Sequence, residues 1–316
     1  MTGLSLVALA VLGALAAAAL TTANAVRSRR HPRRTVLDAA LRHERTTSVV
    51  AGAVALSLIA YVISPAGLPN LTSVTTTPGL LVALSPFIAV VMVLVVRAIG
   101  ELAWPCPQGT VRTAPLTRRT VRGLGEWRLP LFLATAALTA VALVVFGVTA
   151  GEGGGTVDAP LLVTVDGWIT GTSGPYPGWP YAGPLLVLLA VVTLGLLGVL
   201  HLIARRGAVG GATAHEDDSL RRLSAAHVLA GTQLLVGLGS AAVMLTAALA
   251  LFGADRTGAS VLAFTVGSAI GITSVVVGLS VLARQALPAP PGASTSSAWA
   301  AQPVTPVTPV TPEPQA

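Results

Sequence analysis

The chain has 316 residues, 53% of them hydrophobic and only 10% charged, with a mean hydropathy of +0.79. A soluble domain carries about 25% charged residues, so this chain has too little charge to cover a water-facing surface and reads as an integral membrane protein. The formal charge of +7 would point to nucleic acid only on a soluble face with groove-reading elements; here the basic residues fall between apolar segments, and no nucleic-acid partner is expected.

A helix needs about 20 mostly apolar residues to cross roughly 30 Å of hydrocarbon. Stretches free of Asp, Glu, Lys and Arg long enough for this occur at 1–26, 46–96, 129–151, 167–204, 223–254 and 257–283. The second is long enough for two passes, broken around Pro65, Gly67, Pro69, Asn70 and Pro78. The expectation is an all-α polytopic bundle of seven transmembrane helices within residues 1–286. The spans fall at about 4–26, 47–64, 79–97, 129–149, 183–204, 227–252 and 260–283. Residues 287–316, with Pro-Val-Thr repeats beginning at Pro303, Pro306 and Pro309, favour extended polyproline II and are expected to form a disordered cytoplasmic tail.

In chain order, the first span ends at Ala23-Asn24-Ala25, which resembles a signal-peptide cleavage site. Its positive charge nevertheless follows the apolar stretch, at Arg27, instead of preceding it, so a retained helix is expected. The second span is the weakest, because its purely apolar part runs only from Val49 to Ile63. In the third, Pro86 after Ser85 should kink the helix and free a carbonyl or two. Trp104 follows the third span, Trp127 precedes the fourth, and Tyr176, Trp179 and Tyr181 precede the fifth, as rings anchored at headgroup level do. The outer loop from Gly151 to Gly183 begins glycine-rich, and Ala159 to Ile169 alternates in character, which suits a lid or a short amphipathic piece lying on the membrane. Basic segments 27–46 and 109–128 suit short interfacial helices that hold anionic headgroups, or simply fix topology.

Orientation follows the arginines, since short basic loops stay in the cytoplasm. Seven passes put 18 arginines on one side against Arg256 alone on the other, which also carries Glu152, Asp158, Asp166 and Asp255. The amino terminus is then outside and the carboxyl terminus cytoplasmic, in a multi-pass protein of a bacterial plasma membrane. All 19 basic residues are arginine; a GC-rich coding bias produces this, and it carries no functional weight.

No catalytic, cofactor or metal residue is assigned, and no cofactor is expected. The central turns of the spans hold no Asp, Glu, Lys or Arg, which argues against a proton pump or a charged-substrate permease with a buried counter-ion. His201 and His227 lie near the same boundary and would pair or share a metal only if their helices met; interfacial anchoring is the ordinary reading. His215, Glu216, Asp217 and Asp218 form the densest polar cluster, read as a cap on an extension of span six, where acids meet the helix amino end. His43-Glu44 and His215-Glu216 lack the second histidine of a zinc-protease helix, and Gly151–Gly155 lacks the Lys-Ser/Thr of a phosphate loop. The single cysteine, Cys106, excludes an intramolecular disulfide.

Small residues speak to assembly. Gly267, Gly271, Ser274 and Gly278 share one face of span seven, and Gln233, Gly237 and Ser240 one face of span six, suiting close packing of the two spans or of two subunits. Two functional classes follow. One is a non-enzymatic accessory or anchoring subunit acting through helix packing, lipid contact and a membrane or cytoplasmic partner or a second copy of itself. The other is a permease for an uncharged or weakly polar small molecule, with Gln233, Ser240 and the Pro86 kink along its path. A membrane enzyme acting on lipid would need the region of His201, His215 and His227.

Overall fold

The computed structural model describes residues 36–62, 64, 77, 79–103, 120–160, 162–164, 167–169, 171–208 and 214–286. The expected first span, Trp104, Cys106 and the repeat tail lie outside the described residues. The described chain is mostly helical, with α1 (Val36–Val62), α2 (Leu80–Leu102), α3 (Val121–Gly125), α4 (Arg128–Thr149), α5 (Trp179–Arg205), α6 (Ala214–Gly253) and α7 (Thr257–Ala286). Six of these, α3 excepted, are long and apolar enough to cross a membrane.

Local chemistry explains the helix ends. Gly79, at φ 78°, takes the left-handed turn that admits α2, a conformation open to glycine without steric cost. Thr120 caps α3 by accepting a hydrogen bond from Gly123 N. Pro180 sits in the first turn of α5, where its missing N–H costs no helical bond. The turn from α6 to α7 runs through Asp255, at φ 57°, and Ser260 Oγ donates to Ala248 O at 2.8 Å to tie the two helices beside it.

Two helices are longer than the charge-free windows suggest. Helix α1 contributes the span Ala40–Val62 and thereby includes Glu44, because no Gly or Pro stands between Glu44 and the apolar run that starts at Val49. Helix α6 has 40 residues, about 60 Å at 1.5 Å per residue, more than the roughly 40–45 Å of a whole bilayer. Its acidic start, with Glu216 and Asp217 in the first turn, is the expected extension of span six. Basic segment 27–46 therefore ends inside α1 from Val36 onward, and segment 109–128 contributes the short α3.

The loop between α4 and α5, expected as a lid or a short amphipathic piece, holds a β-hairpin. Strands β1 (Val157–Asp158) and β4 (Thr172–Ser173) pair antiparallel at its base, and β2 (Leu162–Thr164) pairs with β3 (Gly167–Ile169) toward its tip, with Val163 opposite Trp168. The alternation read in the sequence is the period of a strand. Tyr176 N donates to Gly155 O at 2.8 Å, closing the hairpin base toward α5.

The main core joins α2, α4, α5 and α6 through residues such as Phe87, Phe132, Leu196, Leu200 and Leu229. A second cluster, including Phe146, Tyr176, Met244 and Ile270, joins α4, the end of the hairpin loop, α6 and α7. The small-residue face of α7 meets α6: a Cβ on Gly267 would stand 2.8 Å from Met244 Cβ, and one on Gly237 would fall on the side chain of Ser274. Dispersion between closely approaching backbones replaces the hydrophobic effect, which lipid cannot supply between helices.

Candidate functional site: a buried charge cluster

Charged side chains at one end of the helices turn inward. Glu44 of α1 is 2% exposed and Arg97 of α2 is 3% exposed, values that solitary charges in an apolar setting do not sustain. Glu44 is the hub. Arg97 Nη1 stands 2.8 Å from its Oε1, an ion pair by distance without hydrogen-bond alignment. His227 Nδ1 of α6 lies 3.0 Å from the same oxygen, and Ser224 Oγ donates to Oε2 at 2.8 Å. Both carboxylate oxygens are thus occupied by groups from two other helices.

A second pair continues the cluster toward the end of α5. Arg206 Nη1 lies 3.3 Å from Glu101 Oε2 and 3.2 Å from Ser224 Oγ, so Ser224 bridges the two pairs. His43 Nε2 is 2.9 Å from Gly100 O, the geometry of a ring N–H donating to the carbonyl. Beside it, a Cβ on Gly100 would stand 2.5 Å from Thr47 Cγ2. The α2 backbone at Gly100 therefore meets the α1 side chain of Thr47 where the two helices also pair charges.

Arg221 closes this end. Its Nε donates to Asp217 Oδ2 at 2.9 Å, one turn back on α6. Nη1 donates to Ile203 O at 2.7 Å and Ala204 O at 3.3 Å, and Nη2 to Arg206 O at 2.7 Å. These carbonyls belong to the end of α5, which leaves its last carbonyls without helical donors and carries partial negative charge. A planar guanidinium with five donors answers both demands at once, and Arg221 is fully buried in doing so.

His201 and His227, which would pair only if their helices met, stay apart. His201 is exposed on α5, and His227 meets Glu44. Asp217 also departs from a simple cap role, being buried against Arg221, whereas His215 is exposed and Asp218 pairs with the exposed Arg222 at 2.8 Å. Tyr176, expected at the headgroups, is 2% exposed. Its hydroxyl lies 2.7 Å from Thr149 Oγ1, its ring packs edge-on against Phe146, and burial pushes its phenol pKa up. Trp127 and Trp179 remain about half exposed, as anchors would.

Farther along α6 a layer of uncharged polar groups crosses the bundle. Gln233 Nε2 donates to Thr135 Oγ1 of α4 at 3.0 Å and to Ser274 Oγ of α7 at 2.9 Å. Thr139 Oγ1 donates to Ser240 Oγ at 2.9 Å. Pro86 does free the carbonyl of Val82, and Ser85 Oγ donates to it at 2.7 Å.

In the sequence Glu44, Arg97 and Glu101 stand just beyond the two ends of the charge-free stretch 46–96, where a loop or boundary is the expectation. The available signal was the four-residue spacing of Arg97 and Glu101, and again of Asp217 and Arg221, which repeats charge on one helix face. Among the described residues, no group of three or more His, Cys, Asp or Glu is placed to hold a metal ion. Chemically the cluster presents no open carboxylate oxygen at Glu44; its groups neutralise one another and join α1, α2, the end of α5 and α6. No family model matches the chain, and searches of curated proteins and of solved structures likewise find no match.

Proposed function

We propose that this chain is a seven-span protein of a bacterial plasma membrane, amino terminus outside and carboxyl terminus cytoplasmic. In this reading it serves as a non-enzymatic accessory or anchoring subunit. One observation carries the functional part: the Gln233 amide nitrogen and the Glu44 carboxylate, both inside the bundle, are tied to side chains of other helices. Gln233, the most polar side chain deep in any span, is held between Thr135 and Ser274, and Glu44 is enclosed by Arg97, His227 and Ser224. Groups used this way fix helix positions relative to one another. The sidedness is supported by the gathering of Arg97, Arg206 and Arg221 at one end, while Arg256 reaches Asp158 O on the hairpin.

Reconstitution tests the role. In proteoliposomes the full chain should give no osmotic swelling with glycerol or urea beyond protein-free vesicles, and native mass spectrometry from mild detergent should retain a stoichiometric partner or a second copy. A lone monodisperse chain that moves solute, with flux abolished by Gln233→Ala, would establish the permease instead. Orientation is tested separately: a cysteine at Ser219 should resist an impermeant maleimide added outside, and outside labelling overturns it.

A further inference from the structure

Away from the charge cluster, a half-open cavity of about 270 Å³ lies between the first turns of α2, the start of α5 and the later part of α6, with Pro175–Pro177 along its wall. Val82, Ala83, Pro86, Leu185 and Val243 line it, and no Asp, Glu, Lys, Arg or His does. The backbone keeps the space: a Cβ on Gly239 would stand 3.0 Å from Pro86 Cβ, so only glycine lets α6 pass so close to the Pro86 turn without a shift.

Three polar groups of the wall are already paired. The Val82 carbonyl released by Pro86 accepts from Ser85 Oγ, Thr246 Oγ1 donates to Ala242 O at 2.9 Å, and the Tyr176 hydroxyl pairs with Thr149. Tyr181 is engaged as well. A buried water needs about two to four polar partners, and apolar cavities without them stay dry and take apolar molecules. The occupant is therefore hydrocarbon. The volume falls below the roughly 300–1,000 Å³ that takes a drug-sized ligand, which suits a length of chain.

The mouth identifies the source. Ala242 and Thr246, both lining the cavity, lie on one α6 stripe with Leu238 and Leu249, which are 43% and 75% exposed; positions four and three to four apart share a helix face. An exposed leucine stripe on a span is the face turned to lipid. We propose that this cavity binds the hydrocarbon chain of a membrane lipid, which enters from the Leu238–Leu249 face of α6 and lies against the Pro86 turn of α2.

The test uses the full chain in phosphatidylcholine nanodiscs containing a phosphatidylcholine with a diazirine in its acyl chain, irradiated and mapped by peptide mass spectrometry. Carbene attachment should concentrate on Val82–Pro86 and Ala242–Thr246, several-fold above the exposed stripe of α4 at Leu138 and Val141. In Ala242→Trp, where the indole plugs the mouth from an exposed position, that excess should vanish while labelling of α4 stays unchanged. Ala83→Phe, filling the space from the opposite wall, should give the same loss. Even labelling of every exposed stripe, or an excess that survives both substitutions, overturns the proposal.

Discussion

At one end of the helices, Glu44, Arg97, Glu101, Arg206, Asp217 and Arg221 are buried in mutual ion pairs. Away from them, by the hairpin, Tyr176 and Phe146 stack edge-on, α6 crosses the Pro86 turn at Gly239, and a cavity remains. Directional, charged contacts tolerate only one register of α1, α2, α5 and α6, since a one-residue slide would leave a charge buried without its partner. Shape-based packing tolerates small gaps, so the space for a ligand lies there. The charged region specifies geometry, and the aromatic and glycine-rich region leaves room.

The contrast can be broken most forcefully at Arg221. Arg221→Ala strands Asp217 and uncovers the last carbonyls of α5, and should cost about 3–5 kcal/mol, read as a lower midpoint of thermal unfolding in detergent. Arg221→Lys should recover less than half of that loss, since an ammonium lacks the planar fork that reaches Ile203 O and Arg206 O together. Full recovery by lysine would reduce the site to simple charge.

Glu44 gives the next effect. Glu44→Gln leaves Arg97 buried without its counter-charge and should cost about 3 kcal/mol. Adding Arg97→Met should restore most of it, giving a double-mutant coupling of about 1–3 kcal/mol. Additive losses would show that the 2.8 Å approach carries no coupling.

By the hairpin, Tyr176→Phe removes one hydrogen bond to Thr149 and should cost about 1 kcal/mol at pH 7. Burial raises the Tyr176 pKa, so the folded state favours the neutral phenol. The stability linked to this is fully present below the unfolded value of about 10 and is lost as pH rises through the folded value. Wild type should therefore lose thermal stability more steeply than Tyr176→Phe between about pH 9.5 and 11, and parallel curves would contradict it. The smallest effect belongs to Arg222, whose pairs with Asp218 and Glu126 are solvent-exposed. Arg222→Ala should change stability by no more than about 0.5 kcal/mol.

Much of the architecture was written in one dimension. Four of the six long helices in the described residues, α2, α4, α5 and α7, coincide closely with charge-free windows, because lipid penalises charge wherever a helix crosses it. The exceptions are α6, which starts at Ala214, and α1, whose span takes in Glu44. A window count treats that residue as the end of a loop; its burial depends on Arg97, His227 and Ser224, distant in sequence. The small-residue face of α7 was legible as a packing face, but that it meets α6 became clear only from Gly237 against Ser274. His201 and His227 show the converse, two residues similar in type and depth that the packing sends to different environments.

The sequence by itself determined the class of protein, the places of most helices and the asymmetry of charge along the chain. These follow from transfer free energies, which act on each segment separately. Tertiary structure decided which charges are buried, which polar groups meet and where space remains, because a buried ion pair or a cavity is a property of several helices at a distance of a few ångströms. Arg221 marks the division: as a letter it is one basic residue in a basic segment, and in the fold it is a fully buried cap on another helix.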